Sequence, residues 1–126
     1  MVKLSTAEID LYREKGFVVP KSRISDEIIQ RLREALEDTL RDNPHVRPEQ
    51  LASIHTSKTS AGDTIGHKTF LEVALDNELL DPVSSILGNH IIMWGVQLFC
   101  KPGGDGMEVP MHQDGQYWPI RPLATC

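Results

Sequence analysis

Apolar residues recur at helical spacing through the front of the chain and crowd together behind it. Between Ser25 and Asn43, the residues Ile28, Ile29, Leu32, Leu36 and Leu40 fall on one helix face, and Arg31, Arg33, Glu34, Glu37 and Asp38 occupy the remainder. Ser25 is placed to cap this helix, Asp26 and Glu27 suit the positive end of its dipole, and Asn43-Pro44 stops it. An apolar face of this kind is expected to cover a sheet of its own domain rather than to dock a partner. Ahead of it, Ser5 and Glu8 form a capping-box pattern that opens a short helix carrying Ile9, Leu11 and Tyr12, which Gly16 ends. Phe17-Val18-Val19-Pro20 then reads as a short buried strand. Further along, His67 to Ala74 and Asn77 to Leu87 read as helices. The second carries apolar Leu79, Leu80, Val83, Ile86 and Leu87, holds Pro82 in its early turns and stops at Gly88.

The pattern switches after Gly88. His90 to Lys101 is dense in β-branched and aromatic residues on both parities, as in a strand covered on both faces for part of its length. Pro102-Gly103-Gly104-Asp105-Gly106 breaks any regular element. It is no phosphate cradle, because the chain continues extended through Met107-Glu108-Val109-Pro110 instead of entering a helix. His45 to Gly66 has no sustained period. One helical turn over Pro48 to Ala52 is expected there, with solvated loop around it and Lys58 and Thr64 as polar candidates for an anionic ligand. Helices first and strands after, without alternation, give an α+β fold class: one domain, 1–126, with a helical part over about 1–88 and the start of a β core over about 89–126.

Composition narrows the function classes. Hydrophobic and charged fractions of 40% and 25% are those of an ordinary soluble globular protein. A net charge of -5 without a basic block argues against nucleic acid as the main partner. No stretch reaches the roughly 18 to 20 apolar residues of a membrane span, and the N-terminus lacks the apolar run of a signal peptide. Two cysteines, Cys100 and Cys126, make neither a disulfide framework nor a cysteine metal site. A soluble, cytoplasmic protein acting on a small molecule is the resulting expectation.

The candidate chemistry lies in Val109 to Pro119. On an extended strand, residues two apart project to one side, roughly 7 Å apart at Cα, so His112 and Asp114 can converge on one metal ion. They would supply two members of the two-histidine, one-carboxylate set that holds non-haem iron, and zinc accepts the same donors. His45, His55, His67 and His90 are third-ligand candidates by composition, each read more simply as a loop or surface residue. Tyr117 and Trp118 follow directly. They either wall a substrate site or serve as core residues with polar tips.

Trp94-Gly95-Val96-Gln97-Leu98-Phe99-Cys100-Lys101-Pro102-Gly103-Gly104-Asp105-Gly106, followed by Val109-Pro110-Met111-His112-Gln113-Asp114-Gly115-Gln116-Tyr117-Trp118-Pro119-Ile120 and Pro122-Leu123, resembles the phytanoyl-CoA dioxygenase family. The helical part, with Ile86-Leu87-Gly88 before the first strand, is similar as well. The resemblance implies a double-stranded β-helix of the jelly-roll or cupin-like kind, Fe(II), 2-oxoglutarate as cosubstrate, and oxygen. It implies His112 and Asp114 as the first two iron ligands, Gln97 beside 2-oxoglutarate, and Lys101 as a further cofactor-side candidate; Lys58, Thr64 and Lys68 compete for the position of a family lysine. In the family, a second histidine ligand and a carboxylate-pairing arginine lie further downstream. The chain is therefore expected to be the front part of such an oxygenase, its β-helix incomplete after the His-x-Asp strand, and to bind iron weakly without turnover on its own. The alternative is a non-catalytic scaffold that keeps the front half of the fold.

Overall fold

A computed structural model describes residues 3–56 and 64–119. Its regular elements are four α-helices, α1 (Thr6–Lys15), α2 (Asp26–Asp42), α3 (Lys68–Ala74) and α4 (Asn77–Leu87), with short 3-10 turns at Pro48–Gln50 and Asp114–Gln116. Each helix starts where the sequence supplies an acceptor for its first free N–H groups. Ser5 caps α1 in a complete capping box with Glu8, and Gly16 closes it in the left-handed region at φ 79. Ser25 caps α2, His67 caps α3 through its ring nitrogen, and Asp76 caps α4. Pro82 lies inside α4, where it removes the bond that an N–H would make to the preceding turn.

The core lies between α2, α3 and the segment that follows α2. Ala35, Leu51, Ile54 and Phe70 form its buried centre, and Leu32, Leu40, Val46, Val96 and Leu98 pack around them. Burial of residues the size of Leu51, Ile54 and Phe70 contributes about 1.5–3 kcal/mol each. Leu51 and Ile54 thus correct the expectation of a solvated loop over 45–66. Both follow the 3-10 turn and are buried, Ile54 fully. Thr64 is also buried, not solvated. The chain passes so close there that a Cβ at Gly66 would overlap the carbonyls of Thr56 and Ile54. Lys58 and the residues from Ile120 onward lie outside the described residues.

The expected strands are not formed among the described residues. Phe17 to Pro20 is irregular, with Phe17 and Val19 exposed. His90 to Lys101 makes one isolated antiparallel bridge, Ala52 to Gln97, and Met107 to Gln113 forms no ladder. The physical reason is pairing: a strand closes its hydrogen bonds only on a neighbour, and among the described residues the one bridge formed is to Ala52. For the same reason α2 covers α3 and the 51–54 segment instead of a sheet. What is observed is a helical layer carrying two extended segments. Among the described residues no helix is long and apolar enough to cross a membrane.

Hydrogen bonds among the described residues help fix the extended segments to the core. The Leu98 N–H donates to the Leu51 carbonyl at 3.3 Å, and the Val96 N–H donates to His55 Nδ1 at 3.3 Å. After the Gly103–Asp105 turn, the Met107 N–H donates to Glu49 Oε1 at 2.8 Å, and Arg47 Nη2 donates to the Asp105 carbonyl at 3.1 Å.

Candidate metal centre

Where α4 ends, the chain doubles back so that both extended segments face the same helix. They enclose a cleft of about 540 Å³ lined on the helix side by Leu80, Val83 and Leu87. Its other walls include Met93, Trp94, Gly95, Gln97 and Phe99 from the first segment, with His112, Asp114 and Trp118 from the second. The lining is mainly apolar with a few convergent polar groups, the usual make-up of a small-molecule site.

His112 and Asp114 converge as the sequence spacing suggests, but on a different backbone. Gln113 is extended at φ -119, ψ 123, and Asp114 opens a 3-10 turn instead of continuing a strand. The Tyr117 N–H closes that turn on the Asp114 carbonyl at 2.9 Å. His112 Nε2 lies 3.1 Å from Asp114 Oδ1, and His112 Nδ1 lies 2.7 Å from the Pro110 carbonyl oxygen. A carbonyl can only accept, so Nδ1 carries a proton; Nε2 donates to Asp114 Oδ1 when the ring is protonated, and in the neutral ring it is the nitrogen left free to bind a metal. The Pro110 carbonyl first, and then the Asp114 carboxylate, raise the His112 pKa above its ordinary value, against the opposing effect of desolvation.

These two side chains fit a divalent metal as far as they go. A nitrogen and a carboxylate oxygen 3.1 Å apart make one edge of a coordination sphere with bonds of about 2.1 Å. The Pro110 carbonyl supplies the outer hydrogen bond that fixes the tautomer of a metal-binding histidine. Among the described residues no third His, Cys, Asp or Glu joins them. His45, His55, His67 and His90 therefore do not complete the set. His55 and His67 are engaged elsewhere, with Val96 and with Thr69 and Asp38.

The other sequence candidates divide. Gln97 and Trp118 line the cleft with His112 and Asp114. Tyr117 packs its ring against the edge of His112 at 6.3 Å but is exposed and not part of the wall. Lys101 is exposed at the start of the glycine-rich turn and is not part of the wall either. Lys68 lies in the first turn of α3, where it pairs with Glu72 at 3.4 Å. Trp94 was not singled out by the sequence reading. It meets Trp118 with ring centroids 6.1 Å apart and lines the cleft with it. Trp94 and Gln97 differ in parity, so a regular strand would have set them on opposite faces. Only the irregular backbone lets both line one wall.

Comparison with known proteins identifies the family of the chain. The family described as Phytanoyl-CoA dioxygenase (PhyH) matches residues 12–126. The curated protein named "Phytanoyl-CoA dioxygenase, peroxisomal" from Bos taurus is 27% identical over 135 residues, covering 94% of this chain and 40% of its own length. Its Homo sapiens counterpart is 27% identical over 139 residues, covering 98% of this chain and 41% of its own length. The chain thus spans about two-fifths of the length of the curated relatives it matches. No solved structure matches it. With its match running from the first helix through the cleft that holds His112 and Asp114, the chain belongs to the phytanoyl-CoA dioxygenase family.

Proposed function

We propose that the chain forms the front part of an Fe(II)- and 2-oxoglutarate-dependent dioxygenase that hydroxylates a small organic substrate. The observation that carries this reading is the convergence of His112 Nε2 and Asp114 Oδ1 at 3.1 Å beside an apolar cleft, in a chain of a dioxygenase family. Bound iron with 2-oxoglutarate and oxygen would supply the oxidation of a C–H bond. The protein's share is placement. His112 gives a neutral imidazole whose tautomer the Pro110 carbonyl fixes, and Asp114 gives the anionic donor that offsets positive charge. The Gln97 side-chain amide, on the same wall, is suited to donate to a carboxylate of the cosubstrate. Trp94, Phe99 and Trp118 offer apolar surface that receives the apolar body of the substrate. Tyr117 and Lys101 are not among the residues that line the cleft.

The test is succinate formation from 2-oxoglutarate, under oxygen and with added Fe(II), by the whole protein that carries these residues. Turnover is expected to require iron and to vanish in His112→Ala and in Asp114→Ala. Near-normal turnover in either variant, or activity that needs neither 2-oxoglutarate nor oxygen, overturns the reading.

A further inference from the structure

The two walls of the cleft are not paired to each other as strands, yet they stand opposite one another. Both are tied to the same stretch of chain. On one side, the Val96 N–H donates to His55 Nδ1 at 3.3 Å, directly between the cleft residues Gly95 and Gln97. Gln97 itself is bridged to Ala52. On the other side, the Met107 N–H donates to Glu49 Oε1 at 2.8 Å, and the same carboxylate accepts from Arg47 Nη2 at 3.2 Å. Glu49 is an unusual surface carboxylate: its side chain is only 7% exposed. Between these anchors, Leu51 and Ile54 are buried in the centre of the core. The anchors therefore sit on the most firmly packed part of the loop, not on a solvated one.

We propose that the 47–55 segment is a brace that sets the separation of the two cleft walls, and that Glu49 and His55 are its positioning residues. His55 holds the Trp94–Gln97 wall, and Glu49 holds the start of the segment that carries His112, Asp114 and Trp118. Neither side chain lines the cleft, so each acts through the backbone it holds. Each accepts a main-chain N–H from one wall of the cleft, a role that shape alone does not replace. The metal arm of the test rests on the dioxygenase reading, and the tryptophan arm does not.

Trp94 and Trp118, the chain's two tryptophans, lie on opposite walls with centroids 6.1 Å apart and report the separation directly. The full chain is compared with Glu49→Met and His55→Phe, which keep size but lose the acceptor, and with His55→Asn, which keeps an acceptor. Glu72→Gln removes a pairing carboxylate 2.8 Å from Arg31, away from the cleft, and serves as control. Exciton-coupled circular dichroism of the indoles, the far-ultraviolet helical signal and Co(II) titration are read on each. Loss of the indole couplet with helical signal retained is expected in Glu49→Met and His55→Phe, together with roughly tenfold weaker Co(II) binding. His55→Asn recovers part of the couplet, and Glu72→Gln keeps all of it. A wild-type couplet in both acceptor-free variants overturns the brace, as does collapse of the helical signal in both, which would make these residues general folding determinants. The couplet decides the brace whether or not the chain binds Co(II), and the succinate assay on the whole protein decides the dioxygenase reading.

Discussion

Asn43 follows the last turn of α2, where an Asn before Pro44 reads as a stop signal, and it does cap the helix. Its side chain does more than that. Nδ2 donates to the Thr39 carbonyl at 2.7 Å and to the Ile65 carbonyl at 2.8 Å, while Oδ1 accepts the Ile65 N–H at 2.6 Å. One buried amide thus satisfies both main-chain groups of Ile65, the residue beside buried Thr64. Asn43→Ala should lower stability by about 1–3 kcal/mol in denaturant unfolding, because it leaves the part-buried main-chain groups of Ile65 without their partner. A loss below about 0.5 kcal/mol would show that water replaces the amide. The stop was legible in sequence because it depends on neighbouring residues alone. The clip to Ile65 was not, since it spans twenty-two positions of chain. His112 and Asp114 show the same division. Their convergence could be read from a spacing of two, whereas the Pro110 hydrogen bond and the 3-10 turn that accomplish it could not.

Among elements, helices and strands were legible to different degrees for a physical reason. A helix closes its hydrogen bonds within one stretch of chain, so caps and period suffice to place it. All four α-helices stand where Ser5, Ser25, His67 and Asn77 suggested. An extended run becomes a strand only when another chain segment lies alongside, and neither Phe17–Pro20 nor His90–Lys101 declares its neighbour. The α1 capping box shows how far local information reaches. Glu8 accepts from Ser5 N–H at 2.8 Å and, across the Gly16 turn, from Lys21 N–H at 2.8 Å. The Ser5 hydroxyl first, then these main-chain N–H groups, bring its pKa down from 4.5 to about 2. A carboxyl whose folded pKa is depressed stabilises the fold above its ordinary pKa, and that contribution fades as pH falls through the folded value. Glu8→Gln should therefore be less stable than the parent chain near neutral pH, with the difference shrinking below pH 4.5 and largely gone at about 2. Urea midpoints of both proteins across that range check it; a difference that does not change with pH would remove charge from the explanation.

At the scale of the molecule, apolar residues are divided unequally between a small centre and a long exposed face. Ile54 is 0% exposed, whereas Ile92 is 89% exposed and Met111 100%. Ile92, Trp94, Phe99, Met107, Val109 and Met111 on the extended segments are exposed, whereas the buried centre comes from α2, α3 and the 47–55 stretch. The two isoleucines therefore make a controlled comparison of the same chemical deletion. Ile54→Ala removes three carbons from a closed site shared with Leu51 and Phe70, and the Ile54 carbonyl also accepts the His67 N–H at 2.7 Å where α3 begins. Its cost should fall in the range of about 2–5 kcal/mol for a core truncation. Ile92→Ala removes the same atoms from solvent and should change stability by no more than about 0.5 kcal/mol. Chemical unfolding of both variants measures the contrast, and the indole couplet gives it a second reading. A folded Ile54→Ala chain should lose couplet intensity, since Ile54 lies beside the His55 anchor of the Trp94 wall. Equal costs for the two variants would mean that the 92–118 face is packed in solution as firmly as the helical centre, and the division of the molecule into a core and two extended walls would fail.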